Sequence, residues 1–169
     1  MEALKSMVNI AASQVGVREE GGNNQGPQIV EYQKATWLKP AAWPWCAAFV
    51  CWVIREWLTR DINAADNIGI TEIEQWRPKT ASAYDFINWA KERNLQVFDR
   101  KTPAKLGDIV VFDFSHIGIV EADQKPNSKI IQTIEGNTNG KGERDSLAGD
   151  GVWRKKRATN LIRAYIRIA

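Results

Sequence analysis

The chain has one histidine and two cysteines in 169 residues, and these scarcities restrict its chemistry. Cys46 and Cys51 lie in one apolar run that reads as helix. At ~1.5 Å rise per residue their Cα atoms are more than ~7 Å apart, beyond disulfide reach. Without a second cysteine pair or a second imidazole, a structural zinc site lacks ligands. No metal and no cofactor are expected. Long apolar runs are also missing. The most apolar window, residues 41–54, ends at Arg55 and falls short of the ~20 residues that span a bilayer, so stable membrane insertion is not expected. The first residues, MEALKSMVNIAASQVG, lack the basic start and continuous apolar stretch of a secretory signal. The expectation is synthesis in the cytoplasm without a signal peptide.

Strong charge of one sign is absent too. Net charge is +3 and the pI is about 8.9, compatible with an acidic polymer as partner but too weak and too evenly spread to indicate nucleic acid. The one dense basic run, Arg154 to Arg157, follows Trp153 and reads as the solvated charge of an edge strand that resists pairing. No repeat, linker or low-complexity segment interrupts the chain. With 44% hydrophobic and 25% charged residues, residues 1–169 read as a single domain and a monomer.

Helices come first. Leu4, Met7, Val8, Ala11 and Val15 recur at helical spacing until Gly16. A glycine-rich polar loop, residues 18–26, precedes Pro27, which suits the first turn of a second helix. A third helix is predicted from near Trp45 to about Leu58, and a fourth around Tyr84, Ile87, Trp89 and Ala90, capped by Thr80 or Ser82. Residues 60–79 give no clear pattern. Strands follow: residues 109–112, 116–121 and 130–135, with later ones at 151–156 and 161–168. Helices before strands predict an α+β fold with an antiparallel sheet.

Cys46 follows Trp43-Pro44-Trp45 at the start of the apolar helix. Unsatisfied N–H groups and the helix dipole stabilise a thiolate there, the placement a cysteine nucleophile needs. A free cysteine can equally be a small buried hydrophobe, and that is the reading for Cys51, ~140° further round the helix. His116 must carry any histidine chemistry. Folding the chain about Pro126 sets it across from positions near 136, beside Glu135 and Asn137, and cross-strand neighbours are only ~5 Å apart. Period two puts Glu135 and Asn137 on one face.

Four ordered blocks, Pro44-Trp45-Cys46-Ala47-Ala48-Phe49-Val50, Leu106-Gly107-Asp108-Ile109-Val110-Val111-Phe112, Ser115-His116-Ile117-Gly118-Ile119-Val120 and Glu135-Gly136-Asn137-Thr138, resemble a CHAP domain. This papain-like family of cysteine, histidine-dependent amidohydrolases/peptidases is related to the NlpC-type peptidases. The segment Glu20-Gly21-Gly22-Asn23-Asn24-Gln25-Gly26 with Tyr32 is similar to one CHAP subgroup. The resemblance implies a papain-like fold, N-terminal helices packed on a C-terminal antiparallel sheet. It implies Cys46 as nucleophile, His116 as general base, Glu135 as its orienting residue and Asn137 as a further polar group. The usual family substrate is bacterial peptidoglycan, cut at the sugar–peptide amide or within a peptide, as in phage endolysins. Some members carry an aspartate-rich calcium loop before the cysteine; residues 35–45 contain no acid, so no calcium is expected. No separate wall-binding domain is expected within the 169 residues.

Trp45, Trp43, Asn23 and Asn24 are candidates for substrate contact, although the asparagines suit a turn equally well. The same chemistry would serve a phage lysin acting on the wall after release by other machinery, or an interbacterial effector with a cognate inhibitor protein. A hydrolase of a non-wall amide and a wall-binding module without turnover are the remaining alternatives.

Overall fold

The computed structural model describes residues 2–141 and 149–169. Among the described residues six α-helices precede or flank the sheet: α1 (Glu2–Ser13), α2 (Pro27–Gln33), α3 (Cys46–Arg60), α4 (Ile62–Asn67), α5 (Ile73–Trp76) and α6 (Asp85–Glu92). Strands β1 (Gln96–Phe98), β2 (Ile109–Phe112), β3 (Ile117–Val120), β4 (Ile130–Thr138), β5 (Gly151–Ala158) and β6 (Ile162–Arg167) form one antiparallel sheet. Its order is β1-β6-β2-β3-β4-β5. The α+β expectation holds. Among the described residues no helix is long and apolar enough to cross a membrane.

Helix α3 is the centre of the helical layer. It is buried on every side from Cys46 to Ile54, as expected of a helix whose apolar residues leave no polar face. It packs on α1, α2, β3 and β4. Strands β2 and β3 are likewise buried throughout, and their alternation feeds two cores. Ile109, Val111, Ile117, Ile119 and Ile134 join the helices. Val110, Phe112, Val120, Ile131 and Tyr165 form a smaller cluster on the other face.

Gly136 sets how closely α3 and β4 approach. A Cβ there would lie 2.7 Å from Phe49 Cβ and 2.8 Å from Trp45 Cζ3, which is closer than atoms of a packed interior come. The first turn of α3 therefore rests directly on strand backbone.

Several details differ from the sequence reading. Residues 60–79 contain two short helices, and β1 is an additional strand pairing with β6. Tyr84 occupies the N-cap of α6 without a side-chain cap; the Thr80 hydroxyl donates instead to the Asp85 carboxylate. The β3–β4 hairpin pairs Ile119 with Ile134 and Val120 with Thr133, one residue from the expected register. The basic run is half buried: Arg154 and Lys156 are exposed on edge strand β5, whereas Lys155 and Arg157 are buried.

Gly136→Ala is expected to destabilise the fold by ~1–3 kcal/mol through overpacking of this contact. Urea denaturation would measure it, and an unchanged midpoint would show that α3 can retreat freely.

Candidate functional site

Cys46 is the first residue of α3, 7% exposed. The helix start has no side-chain cap and no acidic residue in its first turn. Its first N–H groups and the positive end of the dipole are thus directed to the space beside the thiol rather than to a carboxylate. The preceding loop is held firmly. The buried Gln33 amide donates to the Ala41 and Trp43 carbonyls at 2.7 and 3.1 Å. The Trp45 indole donates to Glu19 at 2.8 Å and stacks on Tyr32.

His116 lies immediately before β3, after the turn formed by residues 113–115. That turn is anchored from α6's cap: the Tyr84 hydroxyl donates to the Asp113 carbonyl at 2.8 Å and accepts from the Ser115 N–H at 2.9 Å. The imidazole is fully buried and stacks on Phe112 and Phe114, with ring centroids 5.8 and 5.6 Å away. Its Nε2 is 2.7 Å from Glu135 Oε2. The other nitrogen, Nδ1, is buried without a hydrogen-bond partner among the described residues, and Cys46 is the group besides Glu135 that favours the charged ring.

Glu135 is the most heavily bound side chain of the cluster. It also accepts from the Thr133 hydroxyl at 2.6 Å, and from Arg157 through Nε at 2.9 and 3.2 Å and Nη2 at 2.6 Å. Gly118 makes the diagonal contact from β4 to His116 possible, because a Cβ at 118 would lie 2.6 Å from Glu135 Cγ. Burial alone would drive the imidazolium off its proton, but the bonds and charges of Cys46 and Glu135 outweigh it and raise the His116 pKa. Burial likewise opposes the Glu135 charge, and Arg157 and His116 together overcome it, lowering that pKa. Burial pushes the Cys51 thiol well up, and its Sγ donates to the Thr80 carbonyl. Cys51 is core.

The structure brings Cys46, His116 and Glu135 together. Asn137 is close in sequence but different in geometry. It has φ 54°, inside a bulge between Glu135 and Thr138 that breaks period-two alternation. Among the described residues it makes no hydrogen bond to His116. Of the proposed groove residues, Trp45 has no exposed surface and supports the loop from beneath. Trp43 is half-buried, with its indole bonded to the Lys39 carbonyl. Asn23 is exposed, and Asn24 is a buried turn residue with φ 56°. Arg157, Thr133, Tyr84, Phe112 and Phe114 are additions that the sequence reading did not single out. Alternation along β5 is the signal that separates Arg157 from the exposed members of its run. Among the described residues no group of three or more histidine, cysteine and acidic side chains is arranged to hold a metal.

A search of curated proteins finds no match. The CHAP domain family profile matches residues 38–137, more than half of the chain, and the chain belongs to that family of cysteine, histidine-dependent amidohydrolases/peptidases.

The two shifts predict a stability profile. The His116 pKa rises from 6.5 to about 9, so its contribution is complete below 6.5 and is lost as pH rises through about 9. The Glu135 pKa falls from 4.5 to about 2, so its contribution is complete above 4.5 and is lost as pH falls through about 2. Urea-denaturation stability should therefore be greatest between pH 4.5 and 6.5. His116→Gln should flatten the alkaline decline, and a wild-type decline that survives this substitution would refute the assignment.

Proposed function

We propose that the protein is a peptidoglycan hydrolase that cleaves an amide bond, as an N-acetylmuramoyl-L-alanine amidase or an endopeptidase, by thiol catalysis at Cys46. The observation that carries the reading is the buried imidazole of His116, oriented through Nε2 by Glu135 and left with Nδ1 for a thiol at a helix start. Binding alone would not require that arrangement. The expected setting is the bacterial wall, reached by a phage lysin after its release.

In this mechanism Nδ1 takes the thiol proton and leaves Cys46 as thiolate beside an imidazolium. The sulfur attacks the amide carbonyl, and the N–H groups at the start of α3 stabilise the oxyanion. The tetrahedral intermediate collapses with cleavage of the C–N bond, and His116 returns the proton to the leaving amine. Water then attacks the thioester. His116 accepts one of its protons, the acid product leaves, and the sulfur departs as thiolate. Glu135 keeps the ring in one orientation and favours its charged form throughout. The mild net positive charge supports association with an acidic wall.

Mass spectrometry of fragments released from purified sacculi tests the reading and identifies the bond. Wild-type protein should create new amine or carboxyl termini, whereas Cys46→Ala and His116→Ala should each reduce their formation by ~10³-fold or more. Full activity in either variant would refute the assigned chemistry. Intact sacculi of several wall types, with folded and reduced protein, would refute the assigned substrate.

A further inference from the structure

The exposed half of the basic run suits an edge strand, but Arg157 does not. Its guanidinium is 1% exposed and reaches across from β5 to both oxygens of Glu135. We propose that Arg157 is a positioning residue, whose fork holds the Glu135 carboxylate charged and in one orientation so that His116 presents Nδ1 to Cys46. This inference rests on the reading of Cys46 and His116 as the thiol pair.

Three features carry it. Arg157 Nη2 and His116 Nε2 bind the same oxygen, Glu135 Oε2, at 2.6 and 2.7 Å. Arg157 Nε bridges Oε1 and Oε2, and the Thr133 hydroxyl occupies Oε1. Rotation of the carboxylate would break all of these contacts together. The guanidinium also lies over Phe112 and Phe114, 5.3 and 5.4 Å from their ring centroids, and both rings stack on His116. Guanidinium, two aromatic rings and imidazole thus form one packed block. A lysine could supply the charge but not the fork or the planar stacking. The titratable groups facing Glu135 are His116, from the turn before β3, and Arg157, from β5. From α3, Cys46 acts on the same imidazole.

The single histidine makes the test direct, because its imidazole gives one set of NMR signals. An acid-side inflection in those signals reports protonation of Glu135. Arg157→Met should move that inflection up by at least about one pH unit, since a neighbouring cation depresses a carboxylate pKa by about that much or more. Arg157→Lys, which retains charge, should leave it within about half a unit. Alkylation of Cys46 by iodoacetamide should slow by ~10-fold or more in Arg157→Met, and buried Cys51 serves as the internal control. If Arg157 acts through Glu135, adding Arg157→Met to Glu135→Gln should change alkylation less than about twofold. Should Arg157→Met alone not fold, Arg157→Lys, which keeps the charge but loses the fork, should slow alkylation beside Glu135 and change it less than about twofold beside Glu135→Gln. An unmoved inflection in folded Arg157→Met, or an equal loss in both Glu135 backgrounds, would overturn the proposal. Wild-type Cys46 that alkylates no faster than an unfolded thiol would refute the thiol pair. The His116 inflection would still decide the role of Arg157.

Discussion

An ionised carboxylate with no access to water is the constraint around which this molecule is arranged. Glu135 is fully buried, and removing such a group from solvent costs several kcal/mol unless partners replace the lost water. Here an imidazole, a guanidinium and a hydroxyl do so. Each comes from a different place in the chain, so the sheet must assemble before the charge is tolerated. Strand β4 contributes Thr133 and Glu135, β5 contributes Arg157, and the turn before β3 contributes His116. Removing one member would strand the others, a loss that in buried ion pairs commonly reaches ~3–5 kcal/mol.

The thiol must then be brought to that cluster, which is a packing problem. Helix α3 can lie in the interior because it has almost no polar face, and Gly136 lets its first turn touch β4. Alternation along β4 divides the labour. Ile134 and Gly136 face the helices, whereas Thr133 and Glu135 face the smaller cluster with Arg157. The helix start and the imidazole meet at the start of β3, beside the turn of residues 113–115 that follows β2. Tyr84 fixes that end from a third direction through both hydrogen bonds of its hydroxyl.

Much of this was readable from local pattern. Apolar spacing identified α1, α2 and α3, and short β-rich runs identified β2 to β6, because those signals depend on neighbours in sequence. The helix-start position of Cys46 follows from the same logic, and one hairpin places His116 beside both Glu135 and Asn137; only the family resemblance singles out Glu135 as the orienting residue. What escaped depends on distant contacts. Strand β1 has three residues and little burial, so only its pairing with β6 defines it. Arg157 looked like solvent-facing charge because nothing in RKKR reveals that Glu135 lies within reach. Asn137 satisfies period two in the sequence, but a bulge between Glu135 and Thr138 and a left-handed backbone interrupt that alternation, which depends on the pairing with β5. Trp45 reads as a groove wall in the sequence but has no exposed surface, because its ring stacks on Tyr32 and its indole N–H bonds Glu19, contacts from residues distant in sequence.

In the proposed mechanism, alternation of charge across the site links this architecture to turnover. In the ion-paired state of the proposed mechanism, thiolate, imidazolium, carboxylate and guanidinium run in the order Cys46, His116, Glu135, Arg157, with signs that alternate and sum to zero. A poorly solvated region favours such a neutral set over one with net charge. Acylation removes the negative charge of Cys46 and leaves the remaining three groups with a net positive charge. Transfer of the His116 proton to the departing amine cancels that excess. In that mechanism the cluster would drive the proton towards the leaving group at the step that needs it, and hydrolysis of the thioester, which regenerates the thiolate, would draw a proton back onto the ring. A neutral amide at position 135 would orient the imidazole but supply neither half of this balance. An unpartnered carboxylate would hold the imidazolium proton too firmly to release it. With Arg157 sharing Oε2, Glu135 would in the proposed mechanism orient the ring while its charge is partly offset, and the same buried pair that makes the fold costly to assemble would keep His116 able to act as both acid and base.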